Sequence, residues 1–189
     1  KLMAGTYELL GVATADNSGP TTLTVSSIPQ THDDLEIVAL LKGGSGNYGS
    51  EAKFRINGIT GVFYTRNWWR LINGTAYTNA NVSGDNGIAV SQGIGSGDTG
   101  SGITYGAAIT ICYISDYTRS SGGSPDYGVT TGLLRTRQIA NSGTGELGVY
   151  SWSMGGTDAA DGDPVTSFGV SGNALAEKSI IAVYGIKRS

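Results

Sequence analysis

The sequence predicts an all-β protein, an antiparallel sandwich of about eight to eleven strands, and three observations predict it. Runs in which apolar and polar residues alternate recur along the chain, clusters of Gly, Ser, Asn and Asp separate them, and nowhere does the Ala, Leu, Glu, Lys and Arg content rise to that of a long helix. Parallel strands need crossover connections, usually helical, so strands without helices must pair antiparallel. Composition agrees with this. Of 189 residues 31 are Gly and 10 are Tyr, and only 14% are charged, where about 25% is usual. The length suits a single domain over residues 1–189 that buries roughly 70% of its unfolded surface.

The runs follow in order. Thr6 to Ala15 and Thr21 to Ile28 are rich in Thr, Val and Leu, and "DNSGP" divides them. "DLEIVALLK" is the clearest: Leu35, Ile37, Ala39 and Leu41 share one face, and Glu36, Val38, Leu40 and Lys42 share the other. "THDD" could cap a helix over Gln30 to Lys42, but the period of two that follows favours a strand. Next come Ala52 to Ile56 and Asn67 to Ile72, then Gly87 to Gly93, the long Ile103 to Ser115, and Tyr127 to Thr136. Gly145 to Met154 and Val165 to Gly172 precede the last run, Ser179 to Lys187. "SGDNG", "GSGDTGSG", "RSSGGSPD", "NSGTG" and "GGTDAADGDP" supply turns between them. The final run is apolar on both faces, with Ile180, Ala182, Tyr184 and Ile186 on one and Ile181 and Val183 on the other. Such a strand belongs inside a sheet or at a subunit contact, so it is expected to complete the sheet beside the first strand.

Charge and cysteine content narrow the functional classes. The net charge is -3 and the 12 Lys and Arg are scattered, which leaves no footprint for a nucleic-acid backbone. No apolar run is long enough for a membrane span, and no signal peptide or lipidation motif is present, so the expectation is a soluble protein made in a cytosol. The single Cys112 lies within "AAITICYIS" and reads as a small buried hydrophobe.

Several segments together resemble the virion proteins of tailed bacteriophages. They are Tyr7-Glu8-Leu9-Leu10, "SSIPQTHDDLEIV" from Ser26 to Val38, "FRINGITG" from Phe54 to Gly61 with "YTRNWWRLING" close behind, and the closing Tyr184-Gly185-Ile186-Lys187 before Arg188 and Ser189. The likeness runs from Tyr7 to Ser189, in character alone through the glycine-rich centre, and His32 stands where Tyr is common. It implies a jelly-roll-like sandwich that decorates a capsid, forms a head fibre or serves as a module of a tail appendage. It also implies a homotrimer in contact with capsid or other virion proteins, with a host-surface glycan as the alternative partner. No catalytic residues come with it.

Among candidate sites, Trp68, Trp69 and Arg70 in "NWWRLI" form a candidate contact for a subunit or a receptor. Neighbours on a strand face opposite ways, so one Trp should point inward and the other outward, with Arg66 or Arg70 alongside. An outward Trp covers a sheet face, meets a subunit or stacks on a sugar, and the last also needs converging polar groups. Asp158, Asp161 and Asp163, like Asp85 and Asp98, read as turn residues, because their spacing lacks the closing Glu of a calcium loop. Catalysis finds no support. His32 is the only histidine and reads as a surface turn residue beside Asp33 and Asp34; no nucleophile elbow accompanies it. Carboxylate pairs drawn from Glu8, Glu36, Glu51, Glu146 and Glu177 have no separation that sequence can fix. Asn73 and Asn81 match the glycosylation sequon, which is empty in a bacterial cytosol. No cofactor or metal is expected.

Overall fold

Alternation with a period of two becomes twelve strands: β1 (Thr6–Thr14), β2 (Thr22–Val25), β3 (Asp34–Lys42), β4 (Ser50–Ile56), β5 (Tyr64–Ile72), β6 (Thr75–Asp85), β7 (Ile88–Ile94), β8 (Ala107–Ile114), β9 (Thr130–Ile139), β10 (Gly145–Met154), β11 (Phe168–Ser171) and β12 (Ile180–Lys187). The computed structural model describes residues 6–16, 18, 20–42, 50–60, 64–72, 74–85, 87–94, 107–118, 130–139, 145–154, 163–172 and 175–188, with no helix among them. An eight-stranded sheet runs β1-β12-β3-β8-β9-β10-β5-β6 and a four-stranded sheet runs β2-β11-β4-β7. Every pairing is antiparallel. The fold is an antiparallel β-sandwich.

The pairings nest. β1 pairs with β12, β2 with β11, β3 with β8 and β4 with β7. That is the ladder of one long hairpin rolled into two sheets, which gives the interleaved Greek keys of a jelly roll. The remaining strands, β9, β10, β5 and β6, extend the large sheet beyond β8 as a wing. The final strand lies where its two apolar faces put it, between β1 and β3.

The core lies between the sheets. Leu35, Ile37, Ala39 and Leu41 are fully buried, together with Ile181 and Val183 beside them. From the small sheet Phe54, Ile56, Phe168 and Val170 face them, and the rings of Phe54 and Phe168 meet edge to face at 4.9 Å. Tyr64 on the wing accepts the Ile56 N–H at 3.0 Å through its hydroxyl, a tie between the sheets. Asn57, at φ 51, accepts the N–H of Thr166 at 2.8 Å and of Ser167 at 3.1 Å, and donates to the Pro164 carbonyl at 3.0 Å. Its side chain thus fixes the approach to β11.

Two expectations need correction. Gln30 to Lys42 is a strand from Asp34 onward, as the alternation argued, but His32 is no surface residue. It is 6% exposed, and its ring fills the space left by the missing side chain of Gly185, where any Cβ would collide with it. The sequence also gave no signal for β6. "TAYTNANVSGD" carries small and polar residues on both phases and becomes a strand only by pairing along β5 at the sheet edge.

Candidate functional site

Strand register lays the outer face of the large sheet out in rows. One row crosses it through Val12, Ala182, Val38, Ile111, Arg135, Val149, Trp69 and Thr78. The next passes through Thr14, Ile180, Leu40, Ile109, Arg137, Leu147, Leu71 and Ala76. Apart from the arginine positions on β9 and the Thr at either end, both rows are apolar. On this face Tyr7, Leu9, Val12, Leu40, Trp69, Ile109, Ile111, Leu133 and Leu147 are exposed, with Ile109 at 52%.

The small sheet behaves in the opposite way. Its outward positions are Thr22 and Thr24 on β2, Lys53 and Arg55 on β4, and Gly169 and Ser171 on β11. That is the alternation of a sheet facing water. One sandwich therefore carries a polar outer face and an apolar one.

The predicted site residues divide between the two faces of β5. Trp69 points outward and is 39% exposed. Trp68 packs against the core, and the buried Arg70 places its guanidinium over the Trp68 ring, 5.2 Å from the centroid. Of the three, Trp69 is the most exposed, whereas Arg70 is buried and Trp68 packs against the core. Arg70 follows Trp68 by two positions, so the period of two already assigned it to the inner face. The side chain of Arg66 lies outside those described. Sequence reasoning missed most of the outer face, although its signal was present. In β3 and β8 the phase opposite the core is also apolar, whereas in "TLTV" and "KFRI" it is polar.

At one end of the face a trough of about 440 Å³ is lined by Asn67, Tyr113, Ser115, Leu133, Ser151 and Ser153, among others. Trp69 is not among its lining residues, but Asn67, two residues before it on the same face, is.

The same end carries a charged cluster. Arg188 donates to both carboxylate oxygens of Asp34, through Nε at 2.8 Å and also through a terminal nitrogen, and lies 3.2 Å from Asp116. Asp34 is 1% exposed and also accepts from the Tyr113 hydroxyl and, at 3.1 Å, from the Asp116 N–H. Burial pushes the Asp34 carboxyl up, but Arg188, Tyr113 and the Asp116 N–H outweigh it and hold the group below the ordinary carboxylate value. Burial, with the Asp34 carboxylate beside it, pushes the Tyr113 phenol up to about 12. His32 Nε2 lies 3.0 Å from Glu8 and its Nδ1 lies 3.1 Å from the Thr31 hydroxyl. These contacts hold strand ends together. Cys112 is fully buried, and burial pushes its thiol up to about 12, so it is a core residue as expected.

Among the described residues no group of three His, Cys, Asp or Glu side chains could hold a metal ion. Asp163 is exposed. Asp158, Asp161, Asp98 and Asn73 lie outside the described residues, as do the side chains of Asp85, Asn81, Glu51 and Glu146. No helix among the described residues is long and apolar enough to cross a membrane. No protein-family model matches the chain, and no curated protein does. Among solved structures, it aligns with one titled "Structure of infectious bursal disease virus Gx strain" at 18% identity. The alignment covers 97% of this chain and 34% of that one, about a third of its length, with a TM-score of 0.12, too low to carry any inference.

Proposed function

We propose that this chain is a noncatalytic structural subunit of a tailed-phage virion, a capsid decoration or head-fibre protein that packs as a trimer on the capsid surface. The apolar outer face of the large sheet carries this reading, because a subunit that works by being packed needs a broad surface that water does not favour. The resemblance from Tyr7 to Ser189 supports it, as does the double Greek key, an arrangement common in capsid and lectin domains. Mixing the purified protein with phage heads that lack it tests the reading. Saturable binding and a higher melting temperature of the heads are expected; absence of binding, together with absence of its density from a cryo-EM map of the particle, overturns it.

A second reading rests on Trp69 and on the trough that begins at Asn67, two residues before it on the same face. An exposed ring that shares a face with an amide and several hydroxyls suits a neutral saccharide, as a tail-appendage module would use for a host glycan. That reading expects saturable adhesion to host cells, reduced at least tenfold in Trp69→Ala; adhesion unaffected by the substitution removes it.

A further inference from the structure

We propose that a second copy of this chain covers the outer face of the large sheet, so that this face is the contact between subunits and the polar face of the small sheet points to solvent. The proposal rests on the structural-subunit reading and names the partner of its docking face. Area supports it first. The exposed large apolar residues of this face together leave on the order of 800 Å² open, about one side of a standard interface.

Charge then favours a copy over an unrelated partner. Glu36 on β3 and Arg135 on β9 share this face, two strands and one row apart, on either side of β8. No ion pair joins either of them to another described residue. A partner of different sequence would have to supply a matching cation and anion within an apolar surface. A second copy brings both, since Glu36 of one subunit can meet Arg135 of the next, and in a closed assembly each subunit offers one of each. The polar face opposite, with Thr24 and Arg55, has no such need to be covered.

Light scattering after gel filtration tests this. The unaltered protein is expected to elute at a mass of two chains or more at about 10 μM, within the range of stable interfaces of this size. Ile109→Asp should give a monomer with an unchanged far-ultraviolet spectrum, whereas Thr24→Asp on the other face should leave the mass as it was. Glu36→Arg and Arg135→Glu should each weaken association about tenfold or more, and the two combined should restore it. A monomer at about 100 μM, a mass unaffected by Ile109→Asp, or a double reversal no better than either single one overturns the proposal. A monomer that still binds phage heads refutes the copy-to-copy contact and spares the structural reading. An assembly that forms through this face yet binds no particle does the reverse.

Discussion

Asp34→Ala is expected to lower the free energy of unfolding by about 2 kcal/mol, the scale of hydrogen bonds lost from a buried carboxylate whose cation, Arg188, is half exposed. For a chain of this length that is a fall in Tm of roughly 4–8 °C. The effect is large because Asp34 is 1% exposed and joins three elements at once: Arg188 after β12, Tyr113 on β8 and the N–H of Asp116 in the turn that follows. Removing the carboxylate takes the shared acceptor from a phenol, a guanidinium and a backbone donor. The loss should also depend on pH, and its sign follows from the lowered pKa. A carboxyl held below its unfolded value adds stability that is complete above that value, near about 3.9, and is lost as pH falls through the lower folded value. Urea midpoints followed from pH 6 to pH 2 should therefore converge for the native protein and Asp34→Asn at the acid end. A constant gap across that range would show that Asp34 acts by packing alone.

Gly132→Ala should destabilise the sandwich by about 3 kcal/mol, although a glycine-to-alanine change in an ordinary strand gains about 0.4–1 kcal/mol by stiffening the unfolded chain. The sign reverses because of what surrounds Gly132. A Cβ there would run into the Trp152 ring and the Tyr113 carbonyl, closer than real Cβ contacts come. Trp152 is 3% exposed on β10 and the carbonyl is held in β8, so neither can easily give way. Thermal unfolding gives the magnitude, and a diminished near-ultraviolet signal should report the displaced indole. A variant as stable as the parent would mean that the ring has room to move.

Sequence carried the fold further than it carried the site. The alternation in "DLEIVALLK" identified four residues that are fully buried, because burial on one face of a strand is written directly in the residue types. Likewise, "NWWRLI" forced one Trp inward and one outward. β6 escaped notice because an edge strand of small polar residues has no apolar phase of its own and borrows its conformation from β5. The burial of His32 depends on the missing side chain of Gly185, a neighbour far away in sequence. The apolar face was present residue by residue in Val38, Leu40, Ile109 and Ile111, but its continuity arises from register across β3, β8, β9 and β10. Local patterns do not encode that register.

The position of β12 also bears on how the protein is made. β1 and β3 leave the ribosome well before β12, yet each forms ladder hydrogen bonds with it. Until it emerges, two strands carry open hydrogen-bonding edges, and pairing across so long a stretch of chain is slow. Synthesis thus passes through a window in which the nascent polypeptide is sticky, and chaperones would act most usefully in that interval.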